Sequence, residues 1–331
     1  MTSAEQNYRD SINRIAFALL IFEALFLLFG VVMGVVPYLT GALSARAADI
    51  LYELVYAFLY AAVFTIPVFC FHFFSGSKKV VPMYLERRLP RETPLYIFAG
   101  IATVTAAAYV NSYIVSVFDY SAFSEEVLWT QSASSNYQLI LMFLTMAVVP
   151  AFVEEFLFRG LILSNLLPYG RTTAVFASAL LFGVMHQNVE QLFYATVAGL
   201  VLGFIYVKTE SIWTCVLLHF VNNFLSVLQT VIYERLSSLT ASAVYGVIQG
   251  VVFSLGLLSA ILLLLRQKDN RQAILETGCF EKELPADPEY TTEEILPGRR
   301  VRLFFSIPMI VFLAICAIQM ISLILMAVFL Y

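Results

Sequence analysis

The chain has 331 residues, of which 60% are hydrophobic and 13% are charged. This charged fraction is far below the roughly 25% of a typical soluble domain, so the composition excludes an ordinary water-soluble enzyme. A net charge of −4 provides no basic surface, and we predict no nucleic-acid partner. The four cysteines lack the paired spacing of a disulfide framework or a zinc cluster.

Apolar runs with almost no charge recur along the chain, and most reach the roughly 18 residues that can cross about 30 Å of hydrocarbon. They cover residues 15–39, 51–74, 95–118, 138–167, 172–186, 189–207, 212–232, 243–265 and 303–330, and the fifth is the shortest. We predict an all-α, polytopic transmembrane helical bundle of about nine spans, with the lipid bilayer as its partner. We expect an integral multi-pass protein of a prokaryotic cell membrane, whose first run is too long for a signal peptide.

The basic residues indicate an orientation. With a cytoplasmic N-terminus, sixteen of the 19 Lys and Arg residues fall in cytoplasmic segments, as the positive-inside rule requires. We predict N-terminal spans one to three in residues 1–136 and a catalytic core of spans four to seven in 137–232. Spans eight and nine then occupy 233–331, and they are joined by a polar cytoplasmic linker at 266–302.

Span four carries three charges within six residues, and charged side chains inside a membrane are expensive and indicate function. Glu155 and Arg159 are four positions apart, so a helix places them on one face as an ion pair. Glu154 points about 100° away and is left as the unpaired acid, a candidate general base. Pro150 removes a backbone hydrogen bond and is predicted to kink the span and open a cavity.

A histidine partner for Glu154 follows from counting along the predicted hairpin. Glu154 and His186 stand at equal distances before and after Gly170, the turn residue, so both are expected at one depth. Gly183, just before the histidine, would let neighbouring backbones approach closely.

Span seven adds His219 and, four positions later on the same face, Asn223. Two arrangements remain open. Glu154, His186 and His219 could hold a zinc ion with one open position. Alternatively, Glu154 assisted by His186 activates water without metal, while His219 and Asn223 stabilise the oxyanion. The H-E-x-x-H signature of many zinc proteases is absent, which slightly favours the metal-free arrangement.

Three motifs stand in order at intact spacing: Glu154-Glu155-x-x-x-Arg159, Phe182-x-x-x-His186 and His219-x-x-x-Asn223. This set resembles the CAAX protease and bacteriocin-processing family of intramembrane endopeptidases, also called the Abi family, over residues 137–232. The resemblance implies that Glu154 activates water, that Glu155 and Arg159 support it, and that His186, His219 and Asn223 complete the site. Members have been called metalloproteases, although the motif also suits a metal-independent glutamate.

The resemblance implies a peptidase that hydrolyses a peptide bond of a membrane-associated, carboxyl-terminal or leader peptide. Eukaryotic relatives remove the last three residues of prenylated proteins, whereas prokaryotic members are linked with peptide maturation, bacteriocin immunity or scaffolding. A non-catalytic scaffold or immunity protein is therefore the main alternative, and the intact motifs favour the protease. An ion-coupled transporter would need matched broken helices in two halves, which the sequence does not show. Oligomeric state is left open.

Overall fold

Ten helices make up the part of the chain that the computed structural model describes, residues 1–75, 89–117, 135–277 and 295–330. They are α1 (Ser3–Thr40), α2 (Ala45–Ser75), α3 (Thr93–Val117), α4 (Asn136–Tyr169), α5 (Arg171–Val184), α6 (Val189–Thr209), α7 (Ile212–Arg235), α8 (Ser238–Thr277), α9 (Pro297–Phe304) and α10 (Ile307–Leu330). These ranges contain no strand, and the predicted all-α fold is confirmed.

Eight of these helices are long and apolar enough to cross a membrane, all except α5 and α9. Their outward side chains are apolar and exposed, as at Phe58 (74%) and Phe69 (73%), which suits a lipid solvent. The fifth predicted run forms α5, whose 14 residues are fewer than the roughly 20 that span the hydrocarbon. The protein is thus a multi-pass integral membrane protein with one short apolar helix among its spans.

The predicted linker at 266–302 is helical at both of its ends. Helix α8 continues to Thr277, and α9 begins at Pro297. The apolar run predicted an earlier end, at residue 265. The helix itself continues into polar residues, because a helix does not have to stop where it leaves the hydrocarbon. Residues 278–294 lie outside the described residues.

Local sequence signals start the helices that lead to the centre of the bundle. Thr2 caps α1, since its side chain accepts from the backbone N–H of Glu5 and the Glu5 carboxylate accepts from the N–H of Thr2. Ser135 and Gln138 form the same reciprocal cap at the start of α4. Gly170 joins α4 to α5 with φ of 131°, a conformation that residues with a Cβ rarely adopt.

Helix α4 lies at the centre of the bundle, where α2, α5 and α7 pack around it. Helices α5 and α6 pack tightly against each other, because a Cβ added at Gly199 would stand 2.8 Å from Cα of Ala179. Gly183 has the predicted role as well, since a Cβ there would stand 2.9 Å from the carbonyl oxygen of Leu192. On the outside of this core, α1 packs against α2 and α10, and α3 against α6 and α8.

Ion pairs gather several of the predicted cytoplasmic segments at one end of the bundle. Arg299 pairs with Glu5 at 2.8 Å, and Arg266 pairs with Glu92 at 3.5 Å. The basic residues at 78–79 and 87–88, which also contribute to the predicted charge asymmetry, lie outside the described residues. Which end faces the cytoplasm, the domain boundaries and the position of the N-terminus stay predictions.

Candidate active site

Helix α4 changes its winding around the charged residues. It is π-helical at Leu144–Val148 and at Phe156–Leu163, with the α-helical stretch Val149–Glu155 between them. Pro150 stands two residues after the end of the first widened stretch. Widened π turns are rare and often occur at functional sites. The acidic pair thus has a widened stretch on each side of it, and the kink expected at Pro150 stays a prediction.

The predicted ion pair between Glu155 and Arg159 is present and completely buried. Nη1 of Arg159 donates to Oε1 of Glu155 at 2.8 Å, and both side chains are 0% exposed. Nη2 of Arg159 donates to the carbonyl oxygen of Gly199 at 3.1 Å. The same Oε1 of Glu155 also accepts from Nδ1 of His219 at 2.8 Å. Glu155 therefore joins α4 to α7, and its charge is compensated by Arg159 within the bundle.

Glu154 is buried and lies outside the ion pair of Glu155 and Arg159, as predicted, but it has a hydrogen-bond partner. Its Oε1 accepts a hydrogen bond of 2.6 Å from the hydroxyl of Tyr60, a residue of α2. Its Oε2 lies 3.9 Å from Nε2 of His219. The structure thus brings Glu154, Glu155, Arg159 and His219 into one cluster, with one carboxylate on each side of the imidazole.

His186 lies in the connection between α5 and α6, just past the end of α5. Its Nδ1 is 2.7 Å from the carbonyl oxygen of Phe182. His186 and Glu154 line the same cavity, as counting from Gly170 predicted. The cavity measures about 160 Å³ and is otherwise lined by Phe22, Phe26, Phe29, Tyr56, Tyr60, Phe64, Phe158 and Met185. It is an apolar, mostly aromatic chamber with one acid and one histidine in its wall.

Both site histidines use Nδ1 for a structural hydrogen bond. Nδ1 of His186 faces a backbone carbonyl, and Nδ1 of His219 faces the Glu155 carboxylate that also accepts from Arg159. Because these oxygens only accept, Nδ1 carries the hydrogen in both rings. A neutral ring therefore presents the lone pair of Nε2, and only the imidazolium form also offers an Nε2–H.

The ring of Phe182 contacts Arg159 and both histidines of the site. Its ring centroid lies 4.8 Å from Cζ of Arg159, 4.9 Å from the ring of His186 and 5.9 Å from the ring of His219. The contact with Arg159 is a cation–π interaction in a desolvated setting. The motif spacing had drawn attention to Phe182 without giving it a role, and the structure places it in contact with three predicted site residues.

Asn223 follows His219 by one turn of α7 but is not part of the described cavity wall. Its Oδ1 accepts from Nδ2 of Asn222 at 3.3 Å. Asn222 in turn hydrogen-bonds with the hydroxyl of Tyr194 on α6. The structure thus places Asn223 beside the acid–histidine cluster, with its side chain paired to its neighbour.

Tyr60 is the contributor that sequence reasoning missed. It lies on α2, which carries none of the three motifs, and it reaches Glu154 from 94 residues away in the chain. The only sequence feature that pointed to Tyr60 was its position in an apolar span rich in aromatic residues. Within the described ranges, no group of three or more His, Cys, Asp and Glu side chains is arranged to hold a metal ion.

The fold and this geometry define a class of protein, a multi-pass membrane protein with a buried acid–histidine centre. Residues 136–225, which include all six predicted site residues, match the family described as "Type II CAAX prenyl endopeptidase Rce1-like". A protein of Bacillus subtilis (strain 168) named "Putative membrane peptidase YdiL" is 28% identical over 166 residues, covering 45% of this chain and 67% of the relative. None of the solved structures compared matches the chain. Both matches confirm the predicted resemblance of this segment to the CAAX protease family, and they support a membrane protease.

Proposed function

We propose that the protein is an intramembrane endopeptidase in which Glu154 activates the attacking water. The observation that best supports the proposal is the setting of Glu154. Its Oε1 is held by Tyr60, and its Oε2 lies 3.9 Å from Nε2 of His219. One carboxylate oxygen is thereby fixed, and the other is directed at a second polar atom across a small gap.

That gap suits a single water molecule, because two hydrogen bonds of about 2.8 Å from one oxygen can span it. In the proposed reaction Glu154 takes a proton from this water while the water oxygen bonds to the carbonyl carbon of the substrate. The tetrahedral intermediate collapses as the C–N bond breaks. Glu154 returns its proton to the leaving nitrogen, so the products are a carboxylic acid and an amine and the glutamate is regenerated. The acid then gives up its remaining proton, which leaves a carboxylate and an ammonium ion.

The developing oxyanion needs N–H donors. Asn223 offers its amide one turn from His219, if its side chain turns away from Asn222. Nε2 of His219 faces the same water, and in the imidazolium form it can also donate to the oxyanion. We assign these two residues to oxyanion stabilisation and His186 to assisting Glu154 across the cavity they share. Glu155 and Arg159 are assigned to holding His219 in place.

A zinc ion held by Glu154, His186 and His219 is the alternative chemistry. Two ligands of one tetrahedral zinc ion lie roughly 3.3 Å apart, given zinc–ligand distances of about 2.0–2.1 Å. Oε2 of Glu154 and Nε2 of His219 are 3.9 Å apart, so at least one of the two side chains would have to move toward the ion. The spacing therefore favours the metal-free mechanism, which we propose.

The substrate we propose is an apolar peptide segment that enters from the membrane. Six aromatic side chains of α1 and α2 surround the approach to Glu154, and they offer no charged group to a substrate. Such a wall suits a membrane-associated protein, a leader peptide or a carboxyl-terminal peptide.

The test uses purified protein in liposomes with two probes. One is a prenylated peptide ending in a CAAX sequence, and the other is a proteome-derived peptide library whose new termini are read by mass spectrometry. The expected result is cleavage by the natural chain and none by Glu154→Gln. Equal cleavage by both would show that the activity does not come from this site. No cleavage of either probe by a folded natural chain would contradict the proposal.

A further inference from the structure

A second polar cluster lies in the bundle, separate from Glu155, Arg159 and His219. Its centre is Glu23 of α1, which is 2% exposed. The two carboxylate oxygens of Glu23 accept from Nε2 of Gln187 at 2.7 and 2.9 Å. A carboxylate inside a membrane is costly unless it is paired. Gln187 satisfies both oxygens with one amide group, in a two-pronged contact that also fixes the direction of the glutamine side chain.

Helix α10 completes the cluster from the other side. Sγ of Cys316 lies 3.4 Å from Oε1 of Glu23, and Nε2 of Gln319 lies 3.3 Å from Oε2. The acid thus receives hydrogen bonds from two parts of the chain that are far apart in sequence. Neither α1 nor α10 belongs to the segment that matches the family model, residues 136–225.

The backbone of Gln187 has a conformation that needs support from its surroundings. Gln187 has φ of 52°, which is left-handed and unfavourable for a residue with a side chain. Such a conformation is strained and persists only where the surroundings hold it. Gln187 directly follows His186, in the connection whose next residue, Asn188, caps α6 by accepting from the N–H of Glu190. The hydrogen bonds to Glu23 therefore hold Gln187, and the position of Gln187 determines where the backbone of His186 lies.

We infer that Glu23 is a positioning residue for His186, acting through the side chain of Gln187, and that α1 and α10 complete the active site. Phe22, the residue before Glu23, lines the cavity together with His186, so α1 also contributes to the wall of that chamber. The inference rests on the proposed function only for the catalytic role of His186. The placement of His186 by Glu23 is a structural statement that can be tested without any cleavage.

The first test exchanges the partners of the hydrogen bond. Gln187→Glu sets two carboxylates against each other, whereas the double variant Glu23→Gln/Gln187→Glu restores one donor and one acceptor with their positions swapped. A misplacement of about 1 Å can cost about 10²-fold in rate, so kcat on the cleaved probe should fall at least tenfold in Gln187→Glu with KM unchanged. The double variant should recover most of that loss. Equal kcat in all folded variants would overturn the inference.

The second test reads the histidine directly. The chain has three histidines, so ¹⁵N-histidine NMR of the protein in nanodiscs gives few signals, and that of His186 is assigned from its loss in His186→Gln. Glu23→Ala should shift the ring-nitrogen signals of His186 and leave those of His72 unchanged. The matched control is Gln249→Leu, which removes another buried amide, on α8, and should shift neither.

The outcomes separate the two proposals. If Glu23→Ala lowers only the melting temperature, with an unchanged His186 signal and unchanged kcat per folded molecule, Glu23 is merely structural and the inference is wrong. If Glu23→Ala does not fold, the comparison of Gln187→Glu with the double variant Glu23→Gln/Gln187→Glu provides the same test, because these substitutions keep the volume and polarity of both side chains. If the natural chain cleaves neither probe, the proposed function fails while the NMR result still decides the placement of His186.

Discussion

The hydroxyl of Tyr60 donates to Oε1 of Glu154 over 2.6 Å, from helix α2 to helix α4. Hydrogen bonds to a charged acceptor are shorter and stronger than neutral ones. This bond orients the carboxylate and leaves Oε2 directed toward His219. Helix α2 lies outside residues 136–225, so the proposed catalytic base is held by a part of the chain that the family match does not include.

Tyr60→Phe should lower kcat while leaving KM and the fold unchanged, because the ring that lines the cavity stays and only the donor to Glu154 is lost. A hydrogen bond to a charged group contributes about 1.5–3 kcal/mol, so a loss of roughly tenfold or more is expected. The measurement is steady-state cleavage of the reporter peptide.

Tyr8→Phe is the matched control for Tyr60→Phe. Tyr8 is also a buried tyrosine of a membrane helix, and its hydroxyl has no hydrogen-bond partner among the described residues. Its substitution should leave kcat unchanged. Equal rates for Tyr60→Phe and the natural chain would mean that the hydroxyl does not orient the catalytic base.

The buried pair of Glu155 and Arg159 should be necessary for stability as well as activity. Glu155→Gln or Arg159→Ala leaves one uncompensated charge at a site that is 0% exposed, which costs about 3–5 kcal/mol. The double variant Glu155→Gln/Arg159→Met removes both charges and should regain most of the stability without regaining activity. Unfolding in detergent measures the stability, and single variants as stable as the natural chain would contradict the expectation.

Local and periodic features of the centre could be predicted from the sequence. The ion pair of Glu155 and Arg159 follows from a spacing of four on a helix, and it is present. The common cavity of Glu154 and His186 was expected from their equal distances to the turn at Gly170, and it is present although α4 changes its winding at Phe156–Leu163 before that turn.

Contacts between distant helices could not be predicted in this way. Tyr60 and Glu154 are 94 positions apart, and Glu23 and Gln187 are 164 apart. Each contact depends on the rotation of one helix against another, and apolar membrane spans leave that rotation to packing rather than to an alternating pattern. For the same reason no spacing in the sequence pointed to the cluster that the structure shows around Glu23.

Gly199→Ala should separate α5 from α6 and disturb Arg159 at the same time. The added methyl would stand 2.8 Å from Cα of Ala179, and the carbonyl oxygen of Gly199 accepts from Arg159. We expect a loss of stability of about 1–3 kcal/mol, as for other overpacked sites, together with lower activity. Gly246→Ala is the control, because nothing lies within 4 Å of its added methyl and alanine favours a helix. Equal behaviour of the two variants would show that α5 and α6 do not pack this closely.

The charge asymmetry predicts that the end of the bundle holding Glu5, Glu92 and Arg266 faces the cytoplasm. In intact cells, a membrane-impermeant maleimide should therefore not label Leu89→Cys but should label Ser44→Cys, an exposed residue between α1 and α2. Both substitutions are made in a chain whose own four cysteines are replaced. Permeabilised cells should show labelling at both positions. The reverse pattern in intact cells would invert the proposed orientation.

The last prediction separates the two mechanisms at Glu154. Glu154→Gln removes the base but keeps the size of the side chain and an oxygen that can accept from Tyr60, so the fold should persist. Cleavage should fall by about 10²–10⁴-fold, the range that a general base contributes. In the metal-free mechanism the natural chain keeps its activity after treatment with a chelator, and His219→Ala lowers kcat more than it raises KM, because its donor acts on the transition state. Activity that is lost to the chelator and restored by zinc would overturn the metal-free version and reassign His186 and His219 as ligands. An active Glu154→Gln protein would overturn both versions, since each of them uses the carboxylate of Glu154.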